Sequence, residues 1–142
     1  MARLKSIQNW GAEPLYPQNF QFSSDREVNA MLKVLIADDH AVVRKGLSYL
    51  INAQPNFKVV AEAGNGTDAY TLVEQHPINI LVMDLSMPPG ENGLVTTQRI
   101  HDHFPNIRIM ILSMHEEQEY INKAIHNGAM SYIVQYPLGL TL

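Results

Sequence analysis

From residue 31 to residue 134 the chain alternates short apolar, β-branched runs with stretches whose apolar residues recur at helical spacing. No other feature restricts the fold as strongly. Runs at 33–37, 58–63, 80–83, 108–112 and 132–134 read as buried strands, each a few residues long and rich in Val, Ile and Leu. Between them, 41–52, 67–75, 93–104 and 116–127 read as helices. Their expected inward faces are Val43, Leu47, Leu50 and Ile51 in the first, Ala69, Leu72 and Val73 in the second, and Ile121, Ala124 and Ile125 in the last. Pro55, Gly64, Gly66, Pro77, Pro88, Pro89, Gly90 and Pro105 punctuate the joins, and Gly128 is the expected end of the last helix. The order βαβαβαβαβ predicts an α/β fold, a parallel five-stranded sheet with helices on both faces. Right-handed crossovers make it doubly wound.

The flanks read differently. Residues 1–30 contain Pro14, Pro17, Asn9, Asn19, Ser23 and Ser24 without either periodicity, and their charges cancel. We expect a loosely ordered leader or non-native extension there, with Met31 as a natural start. The alternative is a partner-binding arm using Trp10, Tyr16, Phe20 and Phe22. After Val134 comes Gln-Tyr-Pro-Leu-Gly-Leu-Thr-Leu, in which Pro137 and Gly139 oppose a long helix. A fifth helix is therefore expected to be missing, leaving residues 136–142 as an atypical tail beyond a domain at 31–135.

Composition excludes several classes. A net charge of −4 without a basic cluster suits a chain that does not bind nucleic acid by itself. The absence of cysteine excludes disulfides and thiolate chemistry. No apolar run approaches the roughly 20 residues of a membrane helix, and no signal-peptide pattern follows Arg3 and Lys5, so a cytoplasmic location is expected.

In an open parallel sheet, ligands sit beyond the carboxyl ends of the strands. Asp38 and Asp39 follow the first strand, Asp84 the third and Ser113 the fourth. Carboxylates crowded into one cleft repel one another, and a divalent cation relieves that cost. Oxygen-only ligands, with no histidine or cysteine expected in the cluster, favour Mg²⁺ or Mn²⁺ over zinc. An aspartate beside such an ion can act as nucleophile toward a phosphoryl group, with Ser113 donating a hydrogen bond to a phosphoryl oxygen. Each residue also has a structural explanation. Asp39 would serve as a helix N-cap, and Asp84 and Ser113 would close local turns. Convergence of three separate strand ends favours the chemical one.

The blocks Leu35-Ile-Ala-Asp-Asp-His-Ala-Val-Val-Arg44, Leu81-Val-Met-Asp-Leu-Ser-Met-Pro88 and Ile111-Leu-Ser-Met114 resemble receiver domains of response regulators, in particular the NarL/FixJ (LuxR-type) transcription regulators. Asn92-Gly-Leu94 and Asn127-Gly-Ala-Met-Ser-Tyr132 fit as well, and the loop Met-Pro-Pro-Gly-Glu-Asn-Gly looks like that of NreC-like members. The resemblance implies a flavodoxin-like strand order, 2-1-3-4-5. It implies that Asp84 accepts phosphate from a sensor histidine kinase. Asp39 would ligate Mg²⁺, Asp38 would assist, and the backbone carbonyl of Ser86 would complete the protein ligands. Ser113 would bind the phosphoryl group. Tyr132 would be an aromatic switch that turns inward, where its alternative role is that of an edge-strand aromatic. Ser86 and His115 would flank the site and tune the lifetime of the phosphoaspartate. A homodimer is a further expectation, and DNA would be met only through a helix-turn-helix domain that this sequence does not include.

Two departures stand out. The family pattern ends its fifth strand in lysine, and here that position is Gln135, a neutral amide donor. The linker and fifth helix are also replaced, which suggests a truncated or frame-shifted product. Both departures favour an alternative in which the domain binds partners without phosphorylation. Other classes fit less well. A haloacid-dehalogenase-type phosphatase needs a second aspartate two residues beyond the nucleophile, where this chain has Ser86, and a flavodoxin would not place Asp38 and Asp39 against a flavin phosphate.

Overall fold

The computed structural model describes residues 30–87 and 92–136. The expectations for residues 1–29, for Pro88, Pro89 and Gly90, and for residues 137–142 lie outside these.

Nine elements follow in the anticipated alternation: β1 (Leu32–Ala37), α1 (Ala41–Asn52), β2 (Phe57–Ala63), α2 (Gly66–Gln75), β3 (Ile80–Met83), α3 (Gly93–His103), β4 (Arg108–Ser113), α4 (Gln118–His126) and β5 (Ser131–Val134). All strand pairs are parallel, in the order β2-β1-β3-β4-β5. This is the flavodoxin-like order that the resemblance implies. β1 and β3 lie side by side, with Ala37 paired to Met83, so Asp38 and Asp84 leave the sheet at one edge.

Local chemistry sets the helix ends. Asn65 caps α2 by accepting from the Asp68 amide at 2.8 Å, and Asp68 lies in the first turn, where the helix dipole favours a negative charge. Asn92 caps α3 through the Leu94 amide at 2.8 Å. At the other end of α4, Gly128 takes a φ of 110°, a left-handed conformation that L side chains rarely adopt, and so closes the helix as expected.

The two faces of the sheet are covered unequally. Leu35, Ala37, Leu81, Met83, Ile109, Ile111, Tyr132 and Val134 form one buried face with Ala69 and Val73 of α2, Ile100 of α3, and Ile121 and Ala124 of α4. The alternate positions Val82, Met110, Leu112 and Ile133 are only half-buried. Among the described residues, α1 alone covers that side, and none of its side chains is fully buried.

Two inward assignments need correction. Leu50 is 61% exposed. It flanks the stripe formed by the half-buried Val43, Leu47 and Ile51, and no second described helix covers that face. Ile125 is 47% exposed because it lies at the margin of the α4 stripe, lining a groove between α4 and β5 rather than the core.

Candidate functional site

Ligand atoms of Asp38, Asp39, His40 and Asp84 all lie within 4.8 Å of one another. The convergence anticipated from two strand ends is therefore present, and it includes a histidine that the sequence reading did not single out. His40 directly follows the acidic pair, and that adjacency was its only signal.

The local folding of each acid explains how the cluster forms. Asp38 is buried, and its Oδ1 accepts from the His40 amide at 2.7 Å, turning the chain between β1 and α1. The carbonyl of Asp38 accepts from the Arg44 guanidinium at 2.6 Å, which ties the turn back onto the helix. Asp39 is not the cap of α1. His40 occupies that position, and its side chain makes no capping bond. The Oδ1 of Asp39 is shielded from solvent and accepts no hydrogen bond.

Asp84 follows β3, and its amide donates to the Ala37 carbonyl at 2.9 Å, which fixes it beside the acidic pair. Its Oδ1 accepts from the Ser86 amide at 3.2 Å, so the turn-closing role is present. Burial raises its carboxyl above the ordinary value, the charges of Asp38 and Asp39 raise it further, and the Ser86 amide and His40 oppose them. An orphaned carboxylate oxygen next to a destabilised carboxylate, with oxygen donors from three aspartates, fits a hard divalent cation.

The remaining site residues assemble on the neighbouring strands. Ser113 is 1% exposed at the end of β4, and its Oγ accepts from the His115 amide at 3.1 Å, closing a local turn. Its carbonyl accepts from the Gln135 amide at 2.7 Å, which brings the departure from the family pattern to the same edge. Ser86 Oγ and His115 Nε2 are hydrogen-bonded at 3.2 Å, so the two flanking residues touch. The His115 ring stacks on Tyr120 with centroids 4.5 Å apart, a contact between residues five apart that sequence spacing did not reveal.

Tyr132 stands inward, only 2% exposed, although β5 is an edge strand. Burial raises its phenol above the ordinary value, and the nearby Ser113 hydroxyl opposes that rise. The ring also lines a groove of about 530 Å³ between α4 and β5. It therefore stands between Ser113 and an exposed surface.

Among the described residues, no helix is long and apolar enough to cross a membrane. A model of the response regulator receiver domain matches residues 34–136. The oxygen regulatory protein NreC of Staphylococcus haemolyticus is 48% identical over 104 residues, covering 73% of this chain and 48% of that protein. The chain thus spans about half the length of the curated relatives it matches. A LuxR-family two-component response regulator from Aurantimonas sp. SI85-9A1 has a TM-score of 0.68 at 36% identity, over 72% of this chain and 73% of that one. CheY of Borrelia burgdorferi, solved with CheX, beryllofluoride and Mg²⁺, has a TM-score of 0.71 at 25% identity, over 80% of this chain and 87% of that one. The strand order, the converging acids and the sequence match agree: this chain belongs to the response regulator receiver domains of two-component signalling.

Proposed function

We propose that this domain accepts a phosphoryl group on Asp84 from a phosphohistidine of a sensor kinase. The supporting observation is the placement of Asp84 within 4.8 Å of the ligand atoms of Asp38 and Asp39. Asp38, Asp39 and Asp84, with the backbone carbonyl of Ser86, are the ligands for Mg²⁺ or Mn²⁺. The cation supplies charge neutralisation for the phosphoryl oxygens when bound. An Asp84 carboxylate oxygen forms the new bond to phosphorus as the phosphorus–nitrogen bond of the donor breaks, and the imidazole leaves with the electron pair.

Ser113 donates its hydroxyl hydrogen to a phosphoryl oxygen. Doing so draws on the hydroxyl that now closes the His115 turn, which couples the reaction to the loop before α4. Tyr132 transmits that movement to the α4–β5 groove, which it lines. Transcription is then controlled through a helix-turn-helix domain outside this chain, in the cytoplasm, with a homodimer as the expected assembly. This output rests on the likeness to LuxR-type relatives.

Incubation with acetyl phosphate and Mg²⁺ tests the reading. One phosphoryl group per chain is expected by intact-mass analysis, with none on Asp84→Asn and none without the cation. Equal incorporation into wild type and Asp84→Asn would refute it.

A second reading has its own support. Gln135 and the inward placement of Tyr132 favour a domain whose binding surface is set without phosphorylation. In that case beryllofluoride with Mg²⁺ leaves the α4–β5 amide resonances unchanged.

A further inference from the structure

We infer that Arg44 is a positioning residue for the cation site: its guanidinium holds the turn that carries Asp38 and Asp39 against the end of β2. The inference rests on the reading of the acidic centre as a cation site. It adds a residue outside the carboxylate cluster on which that site depends.

The side chain reaches three parts of the fold at once. Arg44 lies in the first turn of α1. Its Nη1 donates to the Asp38 carbonyl, beyond β1, at 2.6 Å. Its Nε lies 3.6 Å from Oε1 of Glu62 in β2. A Cβ placed on Gly64 would stand 3.7 Å from Nη1, so the guanidinium also runs beside the chain just past β2. The flat fork of arginine suits acceptors in two directions, which a single ammonium serves less well.

The tie completes the fixing of Asp38. Its amide donates to the Ala63 carbonyl at 3.0 Å, and its Oδ1 accepts from the His40 amide at 2.7 Å. The carbonyl held by Arg44 belongs to the peptide that joins Asp38 to Asp39. Fixing that peptide plane sets how one acid is presented relative to the other. Asp39 Oδ1 accepts no hydrogen bond, and its ion pair is with a His40 ring that is 67% exposed, so its placement depends on the backbone behind it.

The neighbouring Lys45 shows what an ordinary surface pair looks like here. It meets the same Glu62, through Oε2 at 3.0 Å, but is 74% exposed and points its ammonium away to β2. Arg44 is 21% exposed, and its charge-assisted bond goes to the acidic turn itself. Exposed pairs contribute little, whereas shielded charge-assisted bonds are among the strong ones.

Charge and position pull in opposite directions. A guanidinium near the centre repels a bound cation, so charge alone predicts tighter Mg²⁺ binding once Arg44 is removed. Positioning predicts weaker binding, since partners that orient ligands typically change metal affinity about 10–100-fold. The sign of the change therefore separates the two.

Calorimetric titration of the full chain with Mg²⁺, in wild type, Arg44→Met, Arg44→Lys and Lys45→Met, tests this. Arg44→Met is expected to bind about tenfold more weakly. Arg44→Lys should recover part of that loss, because an ammonium can serve the Asp38 carbonyl but not both acceptors as the fork does. Lys45→Met should stay within about twofold of wild type. Without Mg²⁺, the His40 amide should exchange with solvent faster in Arg44→Met and at the wild-type rate in Lys45→Met. If Arg44→Met does not fold, Arg44→Lys carries both readouts, with weaker Mg²⁺ binding and faster exchange than wild type expected. Unchanged or tighter Mg²⁺ binding in the Arg44 variants overturns the inference and leaves the cation site standing. An equal loss in Lys45→Met also overturns it, by assigning the effect to Glu62. Failure of Mg²⁺ to bind wild type overturns the cation reading and the inference with it.

Discussion

The phenol of Tyr132 donates to the backbone carbonyl of His115 at 2.6 Å, joining the edge strand β5 to the loop that follows Ser113. The same loop is held by the His115 amide on Ser113 Oγ at 3.1 Å. Two hydrogen bonds from opposite sides therefore fix one residue of the loop, and the proposed phosphoryl ligand holds one of them.

Removing the phenol oxygen isolates one of these ties. Tyr132→Phe leaves the ring in the core and the His115 carbonyl without its donor. A loss of about 1 kcal/mol is expected, the usual net worth of such a bond. Tyr132→Ala empties the space of a buried aromatic and should cost about 3–5 kcal/mol. Urea unfolding curves measure both. The His115 amide should exchange with solvent faster in Tyr132→Phe, and unchanged exchange would show that the bond does not hold the loop.

The state of Asp84 gives a pH-dependent prediction. Its carboxyl is raised by burial and by the neighbouring acids, so the folded protein holds that proton more tightly than the unfolded chain does. This group's contribution to stability is largest at pH below its ordinary value. It is lost as pH climbs through the folded value, where the fold must hold a disfavoured charge. Asp84→Asn removes the charge. The variant should melt a few degrees higher at neutral pH, since about 1 kcal/mol corresponds to about 4–8 °C in a small domain. The difference should shrink toward zero as the solution is acidified. Mg²⁺ should narrow the gap from the other side by raising the wild-type melting temperature alone.

How much of this was legible beforehand follows from the residues involved. The strands were plain because Val, Ile and Leu cluster in short runs, and the order of elements left little choice of sheet. Asp38 and Asp84 could be placed at one edge because both directly follow strands that end there. Contacts that depend on ring orientation were not legible. The approach of His40 to the acids and the stacking of His115 on Tyr120 are set by side-chain rotation within turns, which leaves no periodic trace. Leu50 and Ile125 were misjudged because a helical stripe shows which side is apolar but not how wide the covered strip is.

Gly93 is a place where the fold supports the site through close approach. A Cβ added there would stand 2.7 Å from the Leu85 Cα and 2.8 Å from its carbonyl oxygen, both backbone atoms with little room to move. Leu85 directly follows Asp84, so the strain enters the acidic loop. Gly93→Ala should cost about 1–3 kcal/mol, as overpacking generally does, although alanine is the better helix former. A matching loss of Mg²⁺ affinity would show that the Asp84 loop has shifted. Wild-type stability in the variant would mean that the start of α3 adapts freely.

Gln135 tests the chemistry that this chain lacks. Its amide donates to the Ser113 carbonyl at 2.7 Å, so a substitution there leaves the backbone tie intact while changing what reaches the site edge. Glutamine offers a neutral donor. Lysine would place a positive charge near Asp84, favouring its ionised form and then pairing with the phosphoryl oxygens. A charge-assisted hydrogen bond is about twice as strong as a neutral one, a gain of about 1–1.5 kcal/mol. Gln135→Lys is therefore expected to raise the initial rate of phosphorylation by acetyl phosphate about fivefold to tenfold in the presence of Mg²⁺. The midpoint of Asp84 titration, followed by carboxyl carbon resonances, should fall in the same variant. Equal rates with an unchanged midpoint would mean that the side chain at this position does not reach the acidic centre. A lowered midpoint with equal rates would confine its role to the resting charge of Asp84, separate from transfer.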